Sequence, residues 1–135
     1  MSFVIRTIDI TAIGREIVRE REVAGDTLVI GRAAENAVHL PDLAVEQQHV
    51  RVTAEGGRLH LQAIGSLGFA LDGRSTTDAT VDPGEGGELE LGSYRLQFER
   101  EADGRIAVVI RQVAREAADK AETLGGFSLG SVLPG

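Results

Sequence analysis

Short segments in which apolar and polar residues alternate recur along this chain, and turn residues separate them every eight to twelve positions. The chain has 17 glycines among its 135 residues but only 3 prolines, which fits many tight turns. Strands at this spacing are typical of an all-β sandwich. The sequence therefore predicts a fold built from short strands and hairpins.

Alternation of apolar and polar residues predicts about ten or eleven strands, most of them antiparallel to their neighbours. The predicted strands cover residues 3–10, 15–23, 27–30, 38–40, 49–53, 58–63, 69–71, 75–81, 88–91, 94–98 and 105–110. The composition of the charged segment 15–23 also suits a helix, but Gly14 and Gly25 leave room for only two helical turns. A strand is therefore preferred there.

The composition changes near the end of the chain. Residues 112–124 are rich in Ala, Arg, Glu and Lys, and Glu116 and Lys120 stand four positions apart, as in a helix. Two consecutive glycines then end the pattern. We expect a β-sandwich over residues 1–111, a short helix over 112–124 that packs on the sandwich or pairs with a second copy, and a linker or tail over 125–135.

Charge and composition disfavour several classes of function. The formal net charge of -7 argues against binding to nucleic acid, which needs a basic surface. No apolar run reaches the length of a membrane-spanning helix, so we expect no direct membrane insertion. The start of the chain lacks the layout of a signal peptide. We therefore expect a cytoplasmic location, for a free protein or for a module tethered within a longer one.

No pattern of residues indicates an enzyme or a metal centre. His39, His49 and His60 lack the close spacing of zinc ligands, and the chain has no cysteine to join them. No acid pair, activated nucleophile or phosphate-binding glycine loop stands out. We expect no catalytic residue, no cofactor and no metal ligand.

One stretch carries a more specific signal. It starts with Ile30-Gly31-Arg32, continues through Asn36 and Leu40-Pro41-Asp42, and reaches His49 at the start of a predicted strand. This order resembles the forkhead-associated (FHA) domain, a family of β-sandwiches whose loops bind phosphothreonine peptides. The resemblance covers about residues 27–98. It implies an FHA-like β-sandwich that acts as a non-enzymatic protein-interaction module.

The resemblance also implies roles for individual residues. Arg32 matches an arginine that contacts the phosphate or the peptide backbone, and an arginine offers several fixed donors to oxygen acceptors. His49 matches a histidine that ties two loops together through hydrogen bonds. Gly31 and Gly68 match structural glycines. The segment 64–68 then corresponds to a second binding loop.

Three residues depart from the family pattern. Glu46 stands where the family usually has a phosphate-binding serine, three residues before the histidine. In the second loop, Ser66 replaces a threonine that contacts phosphate, and Leu67 replaces an asparagine that holds the peptide backbone. An alignment with a one-residue gap makes Gly65-Ser66 the family's glycine–serine pair, but the asparagine is absent there too. The pocket is therefore expected to be degenerate.

A carboxylate at position 46 is expected to weaken the binding of a phosphate. Glu46 would repel a dianionic phosphate, and the family layout implies that it pairs with Arg32. An alternative is that Glu46 is only a solvated turn residue. In either case we expect weak or absent phosphothreonine binding.

Two functions remain open at this point. The first is a protein-interaction module that contacts its partner through Arg32, Glu46, Gln47, Ser66 and Leu67, largely without phosphate. The alternative is a phosphothreonine-dependent signalling module that uses Arg32, Gln47 and Ser66 while Glu46 turns away. The expected partner is a protein or peptide, phosphorylated or not, or another domain of a longer chain.

Overall fold

The computed structural model describes residues 2–113, which form two β-sheets that share a hydrophobic core. Alternating apolar residues and the turns between them produce twelve strands in this region. The strands are β1 (Ser2–Ile10), β2 (Glu16–Ala24), β3 (Thr27–Gly31), β4 (Val38–His39), β5 (Val50–Glu55), β6 (Arg58–Ala63), β7 (Phe69–Leu71), β8 (Arg74–Thr76), β9 (Asp78–Val81), β10 (Leu89–Leu91), β11 (Tyr94–Arg100) and β12 (Ile106–Gln112).

The two sheets differ in size. One has seven strands in the order β2-β1-β12-β11-β10-β7-β8, and the other has five in the order β4-β3-β5-β6-β9. Neighbouring strands are antiparallel except for the pairs β1–β12 and β3–β4, which are parallel. The prediction of an all-β fold with mostly antiparallel strands is therefore confirmed for the described residues.

The core lies between the sheets because alternate side chains on each strand point inward. Phe3, Leu61 and Phe98 are among its buried members and come from both sheets. Strand β12 is buried throughout Ile106–Ile110, since its other face packs in a second, smaller cluster. The members of that cluster are Val4, Ile8, Ala107 and Val109.

Most predicted strand ends lie within two residues of the observed ones, but two regions differ in a way that changes the architecture. The segment 75–81, predicted as one strand, forms two, because the chain leaves the seven-stranded sheet after β8 and joins the five-stranded sheet as β9. Strand β12 continues through Gln112, which pairs with Tyr94, so the sandwich extends past residue 111 and no helix begins at residue 112. The rest of the predicted helix and the predicted tail at 125–135 lie outside the described residues. Among residues 2–113, no helix is long and apolar enough to cross a membrane.

Several loops meet at one end of the sandwich, which we call the loop end. It comprises the connections β3–β4, β4–β5, β6–β7 and the turn β10–β11. The Ile64 amide donates to the His49 carbonyl at 3.0 Å, which joins the second and third of these connections. Residues that are distant in sequence therefore lie side by side at the loop end.

Candidate functional site

The backbone after β3 is held against the β4–β5 connection. The Arg32 amide donates to the Glu46 carbonyl at 2.8 Å, and the buried Asn36 side chain donates to the Gln47 carbonyl at 2.6 Å. A side chain at Gly31 would overlap that Gln47 oxygen, so only glycine allows this close approach. The position of Arg32 is therefore fixed by its own backbone and by its neighbours.

The Arg32 side chain contacts neutral oxygens. Its Nε donates to the Val45 carbonyl at 3.0 Å. With the Gln47 amide oriented so that its oxygen faces Arg32, the two terminal guanidinium nitrogens donate to that oxygen at 3.1 and 3.2 Å. Within residues 2–113, no carboxylate forms an ion pair with Arg32. The ion pair between Arg32 and Glu46 that the family layout implies is therefore not formed.

The Glu46 carboxylate binds to the β6–β7 loop instead. Its Oε1 accepts hydrogen bonds from the Ser66 amide at 2.9 Å and from the Ser66 hydroxyl at 2.8 Å. Its Oε2 accepts a hydrogen bond from the Leu67 amide at 3.1 Å. Two backbone donors and one hydroxyl of this loop therefore surround an anion that belongs to the chain itself.

Gly65 makes this contact possible. A Cβ atom at this position would overlap the Glu46 carboxylate, while its backbone conformation is an ordinary one. Close approach is therefore the reason why glycine is required here. The Ser66 hydroxyl, followed by the amides of Leu67 and Ser66, lowers the pKa of Glu46, because each donor stabilises the ionised carboxylate.

His49 joins the two loops through its ring. Nδ1 accepts a hydrogen bond from the Glu46 amide at 3.1 Å, so the proton resides on Nε2, which donates to the Gly68 carbonyl at 2.7 Å. The ring is 3% exposed. Gly68 lies so close to β8 that a Cβ atom there would be 2.6 Å from the Thr76 carbonyl oxygen. His49 thus fixes the backbone on both sides of the contact between Glu46 and Ser66.

A second carboxylate stabilises the loop end from the other side. Oδ2 of Asp42 accepts hydrogen bonds from the Ser93 amide at 2.8 Å and the Ser93 hydroxyl at 2.5 Å, and its Oδ1 accepts from the Ala44 amide at 2.8 Å. The Ser93 hydroxyl is the main cause of the lowered pKa of Asp42. These bonds attach the β4–β5 connection to the β10–β11 turn. The sequence marked both segments as loops but gave no sign that they meet.

This architecture is similar to several solved structures. One belongs to a study of phosphothreonine-dependent FHA domain interactions: the match covers 83% of this chain and 97% of that chain, with a TM-score of 0.50 and 18% identity. Another is the second FHA domain of an ABC transporter from Mycobacterium tuberculosis, with coverages of 64% and 76%, a TM-score of 0.50 and 22% identity. The chain has the forkhead-associated fold. The FHA-like fold that the sequence predicted is therefore confirmed.

Two further comparisons show how much of the chain is matched. EmbR of Mycobacterium tuberculosis, solved with a low-affinity phosphopeptide, gives a TM-score of 0.52 at 18% identity, over 67% of this chain and 26% of EmbR. The glycogen accumulation regulator GarA of Mycolicibacterium smegmatis is 31% identical over 72 residues, which are 53% of this chain. The match spans 45% of the length of GarA. No protein-family model matches the chain.

A shallow groove of about 360 Å³ lies beside the β6–β7 loop of this FHA fold. We call it the Leu67 groove, after the exposed leucine on its rim, which is 52% accessible. Its other lining residues include Ala44, Phe69, Ala70, Glu90 and Leu91. The sequence predicted Leu67 as a contact residue but did not predict a groove, because the groove is lined by loops and strands far apart in sequence.

The predicted site residues thus form two groups at the loop end. Glu46, Ser66 and Leu67 are joined by hydrogen bonds, while Arg32 and Gln47 contact each other. In the part of the chain that the structure describes, no group of three His, Cys, Asp or Glu side chains is arranged to hold a metal ion. The loop end thus presents the Arg32 guanidinium and the Leu67 groove.

Proposed function

We propose that this chain is a non-enzymatic protein-interaction module of the FHA type that binds its partner without requiring phosphothreonine. Its fold is shared with a domain studied for phosphothreonine-dependent interactions and with EmbR, which was solved with a phosphopeptide. These two similar structures support the binding of a peptide or protein as the general role of the loop end. The loop geometry of this chain supports binding that does not depend on a phosphate group.

The observation that carries the proposal is the position of the Glu46 carboxylate. It accepts hydrogen bonds from two amides and one hydroxyl of Ser66 and Leu67, donors that would otherwise be free to bind an anion. A phosphate must displace this carboxylate and then remain near its negative charge. Losing charge-assisted hydrogen bonds and adding repulsion lowers the affinity for phosphate by about tenfold or more.

The expected partner is a protein or a peptide, which includes another domain of a longer chain. A net charge of -7 gives no general attraction for nucleic acid. A cytoplasmic location is part of the same proposal. The role is that of a scaffold or signalling contact whose binding surface is complete before any partner is phosphorylated.

A comparison of matched peptide pools tests this proposal. The two pools are identical except that one fixed position is threonine or phosphothreonine, and binding is followed by NMR on the intact chain. We expect phosphorylation to change the affinity of the natural sequence by less than about threefold. Micromolar binding of the phosphothreonine pool that is lost in Arg32→Ala would contradict the proposal and support a phosphothreonine receptor.

A pair of variants separates a local effect from a general charge effect. Glu46→Ser frees the donors of the β6–β7 loop and should raise affinity for the phosphothreonine pool by about tenfold or more. Glu35→Ser removes the same charge from an exposed position in the neighbouring loop and should change little. An equal gain in both variants would show that the position of the Glu46 carboxylate is unimportant.

A further inference from the structure

We infer that the loop end binds an unphosphorylated acidic segment of a partner, with a carboxylate on Arg32 and a nearby apolar side chain in the Leu67 groove. The inference rests on the proposed function and adds the chemistry of the partner. Three observations carry it: the unpaired charge of Arg32, the occupied donors next to it, and the apolar groove.

Arg32 keeps unused capacity for an anion. A guanidinium has five N–H donors, and here three bonds go to the neutral oxygens of Val45 and Gln47. Some arginines of the sandwich are ion-paired, such as Arg6, which lies 2.8 Å from Glu101, and Arg105, which lies 2.8 Å from Asp103. Since no carboxylate of residues 2–113 pairs with Arg32, an acid of the partner is its complement.

The neighbouring loop favours a carboxylate over a phosphate. The donors of Ser66 and Leu67 already hold the charge of Glu46, so Arg32 is the group left to bind an incoming anion. A planar, singly charged carboxylate can accept a charge-assisted hydrogen bond from an N–H of Arg32 that Val45 and Gln47 leave free. It also meets less repulsion from Glu46 than a dianion does.

The Leu67 groove accounts for the apolar side chain that we expect in the partner. Ala44, Leu67 and Ala70 provide its apolar side chains. Glu90, which also lines it, lies 3.9 Å from Arg95. Ala44 lines this groove, and the next residue along the chain binds Arg32 through its carbonyl. An extended segment advances about 3.3 Å per residue, so an acid and an apolar residue a few positions apart span both features.

Synthetic peptide pools test this chemistry directly. In a background of Gly, Ser and Ala, one position is fixed as Asp, Asn or phosphothreonine, and a position two or three residues later is fixed as Leu or Ser. Binding is measured from NMR shifts of the Arg32 Nε–H and of the Leu67 and Ala70 amides. We expect the Asp/Leu pool to bind about tenfold tighter than the Asn/Leu pool and about tenfold tighter than the Asp/Ser pool.

Matched variants assign each preference to its residue. Arg32→Gln should abolish the preference for Asp over Asn, while Arg100→Gln, a change at the opposite end of β11, should preserve it. Leu67→Ser should abolish the preference for Leu over Ser. Leu43→Ser, which changes a leucine that is 91% exposed and outside the groove, should preserve it.

The outcomes distinguish this inference from the function on which it rests. Equal binding of the Asp and Asn pools, equal binding of the Leu and Ser pools, or no saturable shift with the Asp/Leu pool overturns the inference alone. Tightest binding of the phosphothreonine pool, with large shifts at the Ser66 and Leu67 amides, overturns the proposed function as well.

Discussion

Oε1 of Glu46 lies 2.9 Å from the amide nitrogen of Ser66 and 2.8 Å from its hydroxyl oxygen, although the two residues are 20 positions apart. A side chain of the β4–β5 connection therefore satisfies the donors of the β6–β7 loop. An internal anion therefore shapes this loop.

Removal of this anion should loosen the β6–β7 loop. In Glu46→Ala, the amides of Ser66 and Leu67 lose their acceptor, so we expect their hydrogen exchange to accelerate by about tenfold or more. Exchange measured by NMR checks this, with Glu35→Ala as the charge-matched control. Unchanged exchange at both amides in Glu46→Ala would mean that the carboxylate does not hold the loop.

A methyl group at residue 65 should have the same local effect. In Gly65→Ala the new Cβ overlaps the Glu46 carboxylate, whose flexible side chain then moves away from the loop. We expect faster exchange at Ser66 and Leu67, as in Glu46→Ala, and no further acceleration when the two changes are combined. Additive effects in the double variant would show that the two residues act independently.

We expect the buried His49 to contribute more to the free energy of unfolding than the partly exposed His60. His49→Ala leaves a cavity and removes the partners of the Glu46 amide and the Gly68 carbonyl, so we expect a loss of about 2–4 kcal/mol in the free energy of unfolding. His60→Ala, which removes a contact with Asp78 near the surface, should lose less than about 1 kcal/mol. Urea denaturation measures the free energy of unfolding of both variants. Similar losses in the two variants would show that the hydrogen bonds of His49 do not stabilise the fold in particular.

The strands were largely predictable because each carries a local signal. Ten of the eleven predicted segments agree with observed strands to within two residues at either end, since alternation and turn glycines act over short distances. The threonine-rich segment 75–81 has no such signal at its midpoint. Its division into β8 and β9 depends on which sheet each half joins, and that is decided by packing.

The structure places the predicted site residues at one end of the sandwich, but their contacts could not be predicted. The resemblance to the FHA family pointed to Arg32, Glu46 and His49, and the family's serine, which is Glu46 here, pointed to a change in chemistry. The partner of the Glu46 carboxylate depends on how two loops approach each other, which no local pattern encodes. The bond between Asp42 and Ser93, 51 positions apart, escaped prediction for the same reason.

The most direct test of the contact between Glu46 and the β6–β7 loop is a pH titration of the Glu46 carboxyl carbon by NMR. Hydrogen bonds from Ser66 and Leu67 lower the pKa of Glu46 from its ordinary value of 4.5. Because the pKa of the folded state is depressed, the stabilisation of the loop is present above 4.5 and is lost as pH falls through the lowered pKa. We predict a midpoint below 4.5, with the Ser66 and Leu67 amide shifts following the same curve. A midpoint at or above 4.5, or amides that do not respond to this titration, would contradict the account.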